Sequence, residues 1–151
     1  MTRAAGLALL AAAVLASAAC GGASQSPATQ ARAQVERFYS DIEGGRGAAA
    51  CSLLTPAARE EVVHPFLLFP KEHKLDCERV LGSYSKATAR DAASVRELKA
   101  TRFGSVSVIG DHAMVVVSVP RVGLRAAPLV MTRYGWRVSQ FSISARKPIS
   151  G

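Results

Sequence analysis

Val35, Phe38, Tyr39 and Ile42 recur at i, i+3, i+4 and i+7, the spacing of one helical face. Glu36, Arg37, Ser40 and Glu43 fall mostly on the other faces, and Gly44-Gly45 supplies a stop. The pattern predicts a helix that begins near 28–31. A second, short helix is predicted over 47–54, with Ala50, Cys51 and Leu54 as its buried stripe. Thr55-Pro56 marks a third, with Thr as N-cap and Pro at the first helical position, running to about Val63 and ending before His64-Pro65. Phe66 to Phe69 is apolar but framed by Pro65 and Pro70, and reads as a loop that plugs or lids the core. Leu75 to Leu81 predicts a turn or two of helix with Cys77 and Val80 inward. Residues 82–93 are polar and Ala-rich, and no period assigns them.

The period then changes from helical to alternating. Phe103 to Ile109 alternates, Gly110-Asp111 is a tight-turn signal, and His112 to Val119 is a β-branched run. Leu124 to Arg133 reads as a third strand, and Tyr134-Gly135 turns it into a fourth over Trp136 to Ile143. Short turns predict an antiparallel meander. Pro120 and Pro128 predict edge or bulge positions, because proline cannot donate to a ladder. Helices followed by a curled sheet define an α+β domain. Its core is expected to place Val35, Phe38 and Ile42 against Val115, Val117, Val119, Trp136 and Val138.

Two segments lie outside this pattern. Residues 1–19 carry one charge, Arg3, and then an Ala/Leu run that ends in small residues, as an export signal does. The run is short for a spanning helix. Ala18-Ala19-Cys20-Gly21-Gly22 resembles the lipobox of bacterial lipoproteins, in which the Cys becomes the lipid-bearing mature N-terminus. Ser17 departs from that pattern, which favours Leu there. The rival is cleavage at Ala16-Ser17-Ala18, which would release a secreted protein. Residues 20–30 then read as the lipidated Cys and a flexible, uncharged tether, and ten such residues reach about 18 Å. The domain follows over 31–145, with a frayed tail over 146–151.

The chain has three cysteines. If Cys20 carries lipid, Cys51 and Cys77 are left, and in an oxidising compartment they can pair. Two buried free thiols are the alternative. Removing residues 1–19 leaves 132 residues and lowers the net charge from +8 to +7. That length supports a single core. The charge has two readings: a solvated, soluble surface, or attraction to anionic lipid head groups or acidic wall polymers through Arg121, Arg125, Arg133 and Arg137. Nucleic acid is not a sensible partner for an exported protein.

The run from Val35 to Thr55, an amphipathic helix followed by a Gly-rich break, Ala-Ala-Cys and paired Leu, resembles small extracytoplasmic proteins of the NTF2-like superfamily. Asp76-Cys77-Glu78 and Gly135-Trp136-Arg137-Val138 fit the same group, and the resemblance spans about 30–145. The whole is similar to a bacterial lipoprotein of actinobacterial type. The resemblance implies a cone of curved sheet around a long helix, an internal pocket and a Cys51–Cys77 bridge. It implies no reaction, because this fold hosts enzymes and binding modules alike.

Candidate pocket or core residues are Val35, Phe38, Tyr39, Ile42, Val117 and Trp136. A catalytic cone would need an inward Asp or His beside a Tyr or a second acid. Tyr39, Asp41, Asp111 and His112 are the groups to consider. Tyr39 lies on the apolar face and reads as core, and both aspartates read as surface or turn residues. His64, His73 and His112 have no second histidine at i+3 or i+4, and neither a metal nor another cofactor is expected. The sequence therefore predicts a lipid-anchored, non-catalytic binding or accessory module for an unknown small ligand or protein partner. The alternative is a pocket enzyme of isomerase or hydratase type.

Overall fold

In a computed structural model of the protein, the described residues are 25–66 and 75–140. The signal, Cys20 and the tail lie outside them. Helix α1 spans Pro27–Glu43, α2 Gly47–Ser52, α3 Pro56–Val63, α4 Cys77–Arg90 and α5 Ala92–Lys99, with a 3-10 turn at His64–Phe66. Strands β1 (Arg102–Ile109), β2 (His112–Val119), β3 (Gly123–Thr132) and β4 (Gly135–Val138) follow. They pair antiparallel in the order β1-β2-β3-β4, so the domain is α+β with a meander as its sheet layer.

The caps explain where the helices begin. Ser26 Oγ accepts from the Thr29 N–H, with Pro27 at the first turn. Thr55 does the same for Ala58, ahead of Pro56. Asp76 caps α4 through the Arg79 N–H at 2.8 Å. The Asp91 carboxylate opens α5 by accepting from Ala93 and Ser94. Hydrogen bonds to the Ser94 side chain and backbone hold it below its ordinary pKa.

Segment 82–93 is largely helix, since α4 continues to Arg90. Its inward positions are Cys77, Val80, Leu81, Ser85 and Thr88, a helical spacing. Two of the five are hydroxyl residues, so a hydrophobic count misses the stripe. Ser85 is fully buried and donates to the Gly82 carbonyl at 3.3 Å, which removes the cost of burying its hydroxyl.

The second helix is shorter than its apolar pattern predicts. It stops at Ser52, Leu53 caps it in a helical backbone conformation, and Leu54–Thr55 turns extended along the outer edge of β4. Thr55 N–H donates to the Val138 carbonyl (2.9 Å), and Val138 N–H donates to the Leu53 carbonyl (3.0 Å). This short parallel contact covers an edge that would otherwise leave backbone groups unpaired.

Strand β1 does not alternate strictly. A bulge between Phe103 and Val106 switches its phase. Phe103, Val106 and Val108 pack on the helix side, and Ile109 is left 81% exposed. Pro128 stands within β3 opposite Met114, at the end of the β3–β4 ladder. Its carbonyl accepts from Ser139 there at 2.9 Å. Pro120 lies in the turn after β2. Strand β4 ends at Val138, and the predicted continuation to Ile143 passes outside the described residues beyond 140. The predicted plug at 66–69 lies outside them beyond Phe66.

The helix side of the sheet and α1 share one core. Val35, Phe38 and Ile42 are buried with Val115, Val117, Trp136 and Val138, as the periodicities predict, and Val119 packs partly buried at the margin. A second contact lies between α2 and α4. Cys51 and Cys77 form a disulfide, with Cα atoms 6.0 Å apart. One turn away on each helix, a Cβ on Gly47 would collide with the Leu81 carbonyl and the Gly82 N–H.

Gly47→Ala is expected to cost roughly 1–3 kcal/mol by overpacking. Gly82→Ala, whose added Cβ would meet nothing within 4 Å, is expected to stabilise by about 0.5–1 kcal/mol as a helix-interior glycine replacement. Denaturant unfolding of the two variants should move the midpoint in opposite directions. The bridge closes a loop with a sequence separation of 26. Replacing both Cys51 and Cys77 by Ala is expected to lower unfolding free energy by about 3.5 kcal/mol on the chain-entropy estimate. An unchanged midpoint would refute that role.

Candidate functional site

Of the six candidate pocket or core residues, five are packed into the core. Val35, Phe38, Ile42, Val117 and Trp136 are each at most 4% exposed. Tyr39 differs, because it is only partly buried and sits where α1 crosses the sheet margin. Its ring meets Phe103 edge-on, with centroids 5.5 Å apart, and Phe38 at 6.0 Å.

The sheet register carries a charged group to the same place. Phe103 pairs with Val117, and Val117 pairs with Arg125. Directly opposed residues share a face, and Val117 is fully buried on the helix side. Arg125 therefore leaves β3 toward the helices, yet it is exposed because it lies at the margin of the core. The next residue on that face of β3 is Gly123, which has no side chain to cover it. Tyr84, on α4, is 41% exposed.

Electrostatics tie these side chains together. Burial pushes the Tyr39 phenol above its ordinary pKa, repulsion from Tyr84 adds to the rise, and Arg125 opposes it. Arg125 makes no ion pair or hydrogen bond with any other described residue, and neither tyrosine hydroxyl has a described hydrogen-bond partner.

The other titratable candidates lie elsewhere. Asp41 is buried at 5% exposure, not on the surface as its polarity suggests. Its Oδ1 accepts from Arg46 Nε at 2.8 Å, which ties the end of α1 to the start of α2. Arg46 also donates to the Ser40 carbonyl at 3.2 Å. Asp111 and His112 occupy the β1–β2 turn, 3.3 Å apart and both exposed. His112 precedes the inward Ala113 and so faces solvent. His64 is exposed at the 3-10 turn, and His73 lies outside the described residues.

The meander arginines are dispersed. Arg133 stacks over Tyr134 at 4.7 Å, and Arg137 donates to the Trp136 carbonyl at 3.0 Å on the solvent side. Arg121 sits at the third position of a turn closed by Val122 N–H to the Val119 carbonyl, with φ +63. It borders a shallow cleft of about 200 Å3 between α5 and that turn, shared with Arg96 and Glu97. Among the described residues no group of three His, Cys, Asp or Glu could hold a metal ion, and no helix is long and apolar enough to cross a membrane.

Sequence reasoning found Tyr39 as a face residue of its helix, but not its ring contact with Phe103 or the electrostatic influence of Tyr84 and Arg125 on its phenol. Tyr84 lies in the unassigned segment, three residues after Leu81, and the i+3 spacing is the signal that could have found it. No protein family, curated protein or solved structure matches this chain.

Because the fold prefers neutral Tyr39, its contribution to stability is complete below the ordinary tyrosine range and is lost as pH rises through the raised value. Near-ultraviolet titration should show one of the three tyrosines ionising later than the others. Arg125→Leu should delay it further, by removing the cation that favours the phenolate. Three tyrosines ionising together would contradict this arrangement.

Proposed function

We propose that the protein is a cell-envelope lipoprotein whose NTF2-like domain serves outside the membrane as a non-catalytic binding or accessory module. The observation that carries the non-catalytic part is the dispersal of the four candidate reactive groups. Tyr39 lies at the sheet margin, and Asp41 is committed to Arg46. Asp111 and His112 sit together at a solvent-facing turn. General acid–base chemistry needs such groups within hydrogen-bond reach of one substrate atom.

Export is supported by the Cys51–Cys77 disulfide, a bond that persists in oxidising compartments and is rare in reducing ones. Anchoring is supported by the Ala18-Ala19-Cys20 sequence and the uncharged tether that follows it. The NTF2-like assignment draws on the resemblance in residues 35–55 and 135–138, and on a long α1 packed across a four-stranded meander. A domain held by that tether works close to the membrane, where its net positive charge favours an anionic envelope surface.

The test is fractionation of the full chain expressed in a bacterial host. Wild type should sediment with membranes and be released by detergent, and Cys20→Ser should appear in the soluble extracytoplasmic fraction. A Cys20→Ser variant that still sediments would overturn lipid anchoring, and a soluble wild type would assign plain secretion.

A further inference from the structure

We propose that the outer face of the sheet, the face turned away from the helices, docks the protein onto an anionic lipid bilayer. The inference rests on the envelope reading above and names the surface that meets the membrane.

An antiparallel sheet with one solvated face alternates apolar inward with polar outward. The two central strands depart from that rule. Val115 and Val117 of β2 are buried on the helix side, so Met114 and Val116 face outward. Register carries this face across to β3, where Met114 pairs with Pro128 and Val116 with Ala126. Every second residue of β3 from Leu124 to Val130 is therefore outward, and all are apolar. Leu124 is 74% exposed and Met114 45%, and the exposed Ile109 joins the same face on β1, opposite His112.

Charge is divided between the two layers. Residues 27–99 carry ten acids against eleven Lys and Arg, whereas 102–140 carry five arginines and a single acid, Asp111. None of the four strands contains a carboxylate. Asp111 lies in a turn, 3.3 Å from His112. The arginines do not gather at one point but frame the apolar face. Arg102 on β1 and Arg137 on β4 are outward by register on the two outermost strands. Arg121 and Arg133 stand in turns at opposite ends of the sheet. Arg133 stacks on the exposed Tyr134, and tyrosine is a side chain favoured at headgroup level.

Dispersed cations suit a bilayer, whose headgroups come to each of them, better than one bound anion. Each cation near such a surface adds attraction, and the apolar side chains between them enter the headgroup–acyl boundary. A second copy is a poorer occupant, since two such faces would oppose arginines with no strand carboxylate to pair them. The tether fits the same orientation. Cys20 to the α1 cap at Ser26 is six residue steps, at most about 20–22 Å of extended chain. Helix α1 packs one layer behind the sheet, about 10 Å, so a lipid on Cys20 reaches a membrane that lies under the sheet.

The experiment uses Cys20→Ser protein, expressed from the full chain in a bacterial host and washed from membranes in high salt. It is co-sedimented with vesicles of phosphatidylglycerol and phosphatidylcholine, and separately with phosphatidylcholine alone. The protein should pellet with the anionic vesicles only, and rising salt should release it. Leu124→Asp should weaken binding about tenfold or more, while the thermal midpoint stays near that of the parent. Arg37→Glu, an exposed charge reversal on α1, should change binding by less than about threefold. The proposal is overturned by absence of pelleting, by equal binding to both vesicles, by indifference to Leu124→Asp, or by an equal loss on Arg37→Glu. A dimer that Leu124→Asp dissociates, without vesicle binding, would give the face to a second copy instead. Salt releases a docked face and leaves a lipid anchor in place, so fractionation of Cys20→Ser in high salt decides anchoring independently.

Discussion

The junction of α2 with α4 is the constraint on which the rest of the helical layer depends. It has two points of contact, one turn apart on each helix. At one the Cys51–Cys77 disulfide joins the helices covalently, and at the other Gly47 lets its backbone approach Leu81 more closely than any side chain would allow. A helix of six residues has too few internal hydrogen bonds to persist alone. Its place is set by α4 on one side and by the Asp41–Arg46 pair at its start. Its end delivers Leu53–Thr55 to the free edge of β4, so the same junction also closes the sheet.

The sheet is asymmetric because of one bulge. Without it, strict alternation would align Phe103 with Ser105, Ser107 and Ile109. The extra residue brings Val106 and Val108 in beside Phe103 and turns Ile109 out. The row Phe103–Val117–Arg125 then crosses from partly buried ring to buried aliphatic to exposed cation within three strands. That gradient places an exposed cation at the margin of an otherwise apolar core. The core itself is filled by packed side chains, while the margin is open to solvent at Arg125.

The charge distribution has a related logic. The arginines of the meander are spread over both faces and the turns, so they make no single patch. Arg133 and Arg137 are occupied by Tyr134 and the Trp136 carbonyl. Arg125 differs in pointing toward the helices, where its charge acts on the Tyr39 phenol.

Local pattern alone determined much of the architecture. The 3.6-residue period of Val35, Phe38 and Ile42, the Thr55-Pro56 cap, the glycine turns and the β-branched run over 115–117 each act over a few residues, and each leads to the element observed. The same locality made Cys51 and Cys77 available for a bridge. Tertiary structure decided what depends on distant partners. Asp41 is buried because Arg46 meets it, and α4 extends past Gly82 because Ser85 and Thr88 are inward yet polar. Leu54–Thr55 is extended because β4 offers unpaired backbone groups. Tyr39, Tyr84 and Arg125 come from α1, α4 and β3, far apart in the chain. That Tyr84 and Arg125 both act on the Tyr39 phenol is a property of register and packing, which no local periodicity encodes.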